Sequence, residues 1–202
     1  MNGCSSTVEA LRLFVAISVP PDTLNVLIKI QNRFKKLGLE LKWVKPENIH
    51  LTLKFLGHAV KVPQIKQALT KAVSNESEFV VTLGGAKVFP DMRRPGVLGV
   101  GLQTPCEPLF QLQKKVEENL ALLGFPAESR PFVPHWTLAR IKPGKNRTLQ
   151  TLNSIGHVGS FKVKSVQLYQ SRLTPEGAKY SVLEEFALKA DHGSQTEIDK
   201  EE

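Results

Sequence analysis

The feature that most constrains this chain is a four-residue pattern that appears twice, His50-Leu51-Thr52-Leu53 and His135-Trp136-Thr137-Leu138. A strand sends residues i and i+2 to one face, so each copy, folded as a strand, presents a histidine and a threonine together; in the first copy Leu51 and Leu53 turn to the core. The first copy follows the turn residues Pro46, Glu47 and Asn48, continues as Lys54 and Phe55, and closes at Gly57, which reads as a strand over 49–56. The second is introduced by Pro131 and Pro134, runs through Ala139 to Ile141 and ends at Pro143-Gly144. Its alternation is weaker, because Arg140 follows Leu138 on the core side.

Around these strands the apolar pattern alternates between periods. Residues 11–18 read as a strand, and Pro20, Pro21 and Asp22 open a helix carrying Leu24, Leu27, Ile28, Ile30, Phe34 and Leu37 up to Gly38. A strand over 41–44, a helix over 63–73 and a strand over 79–83 complete a first lobe. A strand over 97–102, a helix over 105–123, the second motif strand, a short helix over 149–155 and strands over 161–170 and 180–188 follow, the last two joined by a turn at 173–177. The fold class is α+β with mostly antiparallel sheets. The motifs lie 85 residues apart, about half the structured length, so two similar lobes facing each other would bring both histidines to one cleft.

A chain of 202 residues with 41% hydrophobic content can bury a proper core as one domain. No apolar run approaches the roughly 20 residues that span a bilayer, and the start, MNGCSSTVEA, has no charged region followed by an apolar signal core. The expectation is a cytoplasmic protein without a membrane partner. Cys4 and Cys106 offer neither metal-ligand spacing nor a disulfide framework and read as free thiols. Of the net charge of +8, residues 190–202 contribute −4, leaving +12 on the remaining 189 residues. That acidic tail lacks a core-forming pattern and is expected to be disordered, with a single bilobal domain over 1–189. The positive field suits a polyanion such as nucleic acid, and equally describes a solvated lysine surface.

Two imidazoles and two hydroxyls suit phosphoester chemistry. Imidazole titrates at about 6.5, so one ring of a pair can accept a proton while the other donates one. In-line displacement at phosphorus needs a base at the attacking oxygen and an acid at the departing one, and the threonine hydroxyls can donate to the non-bridging oxygens. No metal or other cofactor is required. Singly, each piece has a plainer reading: a strand histidine is more often structural, and threonine is a good strand former. The repetition is what raises the pair. Two histidines leave a metal short of ligands, with no acid in either motif. His58, His157 and His192 lack such company and read as solvent-exposed.

The blocks RLFVAI at 12–17, WVKPENIHLTLKFLG at 43–57, VFPDMRRPGVL at 88–98, RPFVPHWTLAR at 130–140 and SRLTPEGAKYSVL at 171–183 resemble the 2H phosphoesterase superfamily. Within it they look like the RNA 2′,3′-cyclic phosphodiesterases once described as 2′-5′ RNA ligases, and the resemblance covers most of the chain. It implies a bilobal pseudo-twofold domain, two mostly antiparallel sheets flanking a central cleft with helices outside. It also implies metal-independent hydrolysis of RNA 2′,3′-cyclic phosphate ends to 2′-phosphomonoesters. By the same resemblance His50 is the proton donor to the departing 3′ oxygen, His135 the proton acceptor from water, and Thr52 and Thr137 bind the phosphate.

Arg130, five residues before His135, is a further candidate phosphate ligand, since a guanidinium makes paired hydrogen bonds to phosphate oxygens; a surface arginine is the plainer reading. Arg93-Arg94 suit an RNA backbone entering the cleft, with Lys42, Lys45 and Lys54 as contributors. Phe55, Phe132 and Trp136 could stack a base, although their places beside motif residues favour core packing. The implied partners are RNA with cyclic phosphate ends or small cyclic nucleotides, and the protein is expected to be a monomer. Gly99 stands where the family usually has a tryptophan, which bears on a cleft wall or base-stacking surface. Two other readings remain: RNA end joining, the same displacement with a 5′ hydroxyl replacing water, and a nucleotide- or RNA-binding module without turnover. Two intact motifs argue against the module.

Overall fold

The alternation in LRLFVAIS is realised as β1 (Leu11–Ser18), which buries Leu13, Val15 and Ile17 in the core and turns Phe14, Ala16 and Ser18 to the opposite face. The computed structural model describes residues 10–91, 93, 95–141 and 158–190. After β1 come α1 (Pro21–Lys35), β2 (Lys42–Trp43), a 3-10 turn (Pro46–Asn48), β3 (His50–Ala59), α2 (Val62–Val73), β4 (Phe79–Phe89) and β5 (Val97–Leu102). The remaining elements are α3 (Glu107–Ala121), β6 (His135–Arg140), β7 (Gly159–Val163), β8 (Ser165–Thr174) and β9 (Gly177–Ala187). Each α-helix carries a proline in its first turn, where the missing N–H leaves no bond unmade.

The strands pair antiparallel in the order β7-β4-β5-β6-β3-β1-β8-β9, with β2 added on β6. The two expected sheets are the halves of this one curled sheet, and the register joins them at a single residue pair, Leu51 with Trp136. Each is the residue after its motif histidine, so the pseudo-twofold axis passes between them. Helices α2 and α3 pack on each other and on β9, β3 and β4, and the core lies between helices and sheet. No helix among the described residues is long and apolar enough to cross a membrane.

Three expectations need correction. The strand after α2 does not close the first lobe: β4 runs on through Gly84-Gly85 and pairs with β5 and β7 in the half carrying His135. The strand expected over 161–170 is two, broken at Lys164; β7 pairs with β4, and β8 crosses to pair with β1. Periodicity reports which face a residue takes, not which neighbour its strand chooses. Nor does Gly57 end β3: at φ +68 it sits in a bulge opposite Leu13, and pairing with β1 continues to Ala59. The short helix over 149–155, Cys4, Arg94, Pro143-Gly144, His157, His192 and the acidic tail lie outside the described residues.

Candidate active site

With Leu51 opposite Trp136, the antiparallel register sets His50 opposite Thr137 and Thr52 opposite His135. These four residues share the cleft face, while Leu51, Leu53, Trp136 and Leu138 are buried on the core face. Both strands then break alternation at the same place. Opposite β1, partners step from Thr52 to Lys54 and leave Leu53 unopposed; opposite β5 they step from Thr137 to Ala139 and leave Leu138 unopposed. A bulge of this kind shifts the parity of everything after it. Phe55 therefore lies on the cleft side, 69% exposed, and Arg140 returns to the cleft rather than falling on the core side. The position five residues after each histidine thus supplies an aromatic face from one strand and a guanidinium from the other.

Buried polar groups brace both bulges from the helices behind. The Gln31 amide of α1 donates to the carbonyls of Leu138 (3.0 Å) and Val44 (2.7 Å). From α3, Gln113 donates to the Leu53 carbonyl at 3.4 Å, and Glu117 pairs with Lys54, whose ammonium also donates to the Pro126 carbonyl at 2.8 Å. Lys54 is thus buried and neutralised by Glu117, neither a solvated lysine nor a contact for RNA.

The two imidazoles are held alike. His50 Nδ1 lies 2.8 Å from the Asn48 carbonyl and His135 Nδ1 lies 2.7 Å from the Val133 carbonyl, in each case two residues upstream. A carbonyl only accepts, so Nδ1 carries the proton and Nε2 of the neutral ring is bare. Burial, opposed by the Asn48 carbonyl and reinforced by the charges of Arg140 and His135, lowers His50 to about 4. Burial also lowers His135, against the Val133 carbonyl and with help from Arg140. Arg140 thus acts on both rings, and His135 on His50, which places the three in one electrostatic site.

Aromatic rings fix the imidazole planes. His50 lies 4.8 Å from Phe14 and meets Tyr180 edge-on at 5.4 Å, with Tyr169 stacked on Phe14 at 5.0 Å. His135 stacks on Phe89 at 4.6 Å. Phe89 reaches there from β4 across Gly99 and Gly101 of β5. A Cβ on Gly99 would stand 2.7 Å from the Trp136 carbonyl oxygen and 3.5 Å from the Phe89 ring. Gly99 therefore marks a close backbone approach beneath Phe89.

Of the remaining sequence candidates, Arg130 is not brought to this site by any observed contact: it is exposed and engages Glu128. Arg93 is exposed on the segment after β4, its backbone N–H donating to Asp91. Lys42, which pairs with Arg140, and Lys45 are exposed. His58 is exposed on β3, opposite Arg12. Trp136 is fully buried, and Phe132 meets Phe110 edge-on. Arg140 is the residue the sequence reading missed. The one signal was positional: Arg140 of HWTLAR stands five residues after its histidine, as Phe55 does in HLTLKF, and the bulges themselves appear only in the strand registers.

Comparison with known proteins agrees with this duplicated plan. A family model described as LigT like phosphoesterase matches residues 17–99 and again 100–180, each stretch holding one motif. An RNA 2′,3′-cyclic phosphodiesterase of Methanothermobacter thermautotrophicus is 33% identical over 88% of this chain and 99% of its own. One of Aquifex aeolicus is 36% identical over 79% of this chain and 90% of its own. Among solved structures, TT0787 of Thermus thermophilus superimposes with a TM-score of 0.77 at 28% identity, covering 90% of this chain and all of that one. Escherichia coli LigT complexed with 3′-AMP superimposes at 0.74 and 28% identity, over 89% and 99%.

Proposed function

The chain belongs to the LigT-like phosphoesterase family, and from that premise we propose that it is an RNA 2′,3′-cyclic phosphodiesterase opening cyclic ends to 2′-phosphomonoesters. The observation that carries the reading is the matched pair of imidazoles, each with Nδ1 tied to the carbonyl two residues upstream and Nε2 left for the cleft. In the reaction His135 Nε2 takes a proton from the attacking water, the water oxygen bonds to phosphorus, and the bond to the 3′ oxygen breaks. His50 Nε2 gives its proton to that oxygen. Thr52, Thr137 and Arg140 donate to the phosphate oxygens as charge builds on them, with Arg140 taking the place first considered for Arg130. Phe55 offers a stacking face to the terminal base.

Burial leaves both rings neutral in the free protein near pH 7, so His50 gains its proton together with the anionic substrate. The two histidines, the two threonines and Arg140 lie on a single chain, so the site needs no partner subunit and the protein is taken to act as a monomer; the substrate class supports a cytoplasmic location. RNA joining uses the same groups and is separated from hydrolysis by its product. The test is an RNA with a 2′,3′-cyclic end, incubated in excess chelator with the parent protein and with His50→Ala, His135→Ala, Arg140→Ala and Arg130→Ala. The expected outcome is a 2′-phosphate from the parent and from Arg130→Ala, lost in the other three. A persistent cyclic end, or a joined product, with the parent overturns the reading.

A further inference from the structure

Beside the histidines lies a second cationic position. A cavity of about 140 Å³ is lined by Arg12, Phe14, Phe55, Arg140, Ser171 and Tyr180. Arg12 sits two residues before Phe14 on the cleft face of β1, and Ser171 and Tyr180 are cross-strand partners on β8 and β9. Two guanidinium groups therefore border one cavity. None of the ion pairs among the described residues gives either of them a carboxylate. Like charges left unpaired around a concave surface repel each other and attract an anion. Arg140 acts on both imidazoles and serves the scissile phosphate, which leaves Arg12 and the two hydroxyls as donors at this cavity, engaged by no ion pair or side-chain hydrogen bond among the described residues.

Resting on the phosphodiesterase reading, we propose that this cavity takes a second phosphate, the phosphodiester on the 5′ side of the terminal nucleotide, held by Arg12 with Ser171 and Tyr180. Phe55 lines the same cavity as both arginines, so a terminal base laid on it would offer its cyclic phosphate to Arg140 and its 5′ phosphate to Arg12. The site thereby distinguishes the end of a strand from a free cyclic nucleotide. Ser171 and Tyr180 supply hydroxyl donors that suit a phosphate oxygen, and a guanidinium binds such oxygens in pairs.

The experiment compares kcat/KM for a cyclic mononucleotide, a dinucleotide with the same cyclic end, and that dinucleotide with a neutral methylphosphonate linkage. The parent is expected to favour the charged dinucleotide over both. In Arg12→Ala, the loss on the charged dinucleotide should exceed the loss on the mononucleotide by roughly tenfold, the scale of one charge-assisted contact. Charged and neutral linkages should then become equivalent, and Arg12→Lys should restore part of the difference. The slope of log kcat/KM against log salt should become shallower by about 0.7, one phosphate contact on a single strand. Equal losses on mononucleotide and dinucleotide, or a variant that still prefers the charged linkage, would overturn the proposal. If the parent turns over none of the three, the phosphodiesterase reading fails, and equilibrium binding of the two dinucleotides to parent and Arg12→Ala still decides the role of Arg12.

Discussion

Binding of a cyclic-phosphate RNA is expected to tighten on acidification, because the bound anion raises the affinity of His50 for a proton taken from solvent. In the free protein His50 is held at about 4, so about one ring in a thousand is protonated at pH 7 and about one in ten at pH 5. A phosphate monoanion about 4.5 Å away, at an effective dielectric of about 20, favours the imidazolium by about 3.7 kcal/mol, roughly 500-fold. Protonation then strengthens binding about 1.5-fold at pH 7 and about 45-fold at pH 5, a net gain of about 30-fold. The sign follows from the bound state holding more protons than the free one throughout this window. A cyclic diester keeps one negative charge across it, so the ligand's own titration contributes nothing. The measurement is the Kd of a labelled cyclic-ended RNA for His135→Ala, which lacks the base and spares the ligand, at pH 7, 6 and 5. The double variant His50→Gln/His135→Ala is the control and should show a flat profile. Affinity of the single variant that stays flat, or weakens towards pH 5, would refute the reasoning.

Two further outcomes concern the scaffold of the site. Glu117→Ala strands the Lys54 ammonium in the core and should cost about 3–5 kcal/mol in urea unfolding, whereas Lys54→Met/Glu117→Leu should recover much of that loss; a double variant no better than Glu117→Ala would contradict the pairing account. Gly99→Ala pushes a Cβ to 2.7 Å from the Trp136 carbonyl, which should cost about 1–3 kcal/mol and lower turnover by shifting the residue next to His135. Parental stability and rate in that variant would mean β5 yields without cost.

What the sequence made legible was local. The alternation in LRLFVAIS gave β1 its observed bounds, and the two His-x-Thr patterns gave the cleft-facing residues, because period two is written directly in residue order. What stayed hidden depends on residues far apart. The bulges at Leu53 and Leu138 are held by Gln113 and Gln31, 60 and 107 positions away, so nothing within HLTLKF or HWTLAR alone says that Phe55 and Arg140 turn to the cleft. Lys54 looked solvated because its partner Glu117 lies on another element 63 positions on. Arg130 looked attractive because it is close to His135 in sequence, while its guanidinium engages Glu128, two residues upstream.

The exchange of strands between the halves has a consequence for how the molecule comes into being. β4, made early, belongs with His135, and β8 and β9, made after both motifs, complete the wall of Phe14, Tyr169 and Tyr180 around His50. A nascent chain released from the ribosome before residue 165 would hold both motif histidines yet leave β1 as a bare edge, open to pairing with other chains. Such pairing across the whole length is slow to form. The wall around His50 is therefore complete only once β8 and β9 have joined β1. A gene cut between the two repeats would yield two fragments that need one another to fold, rather than two half-enzymes.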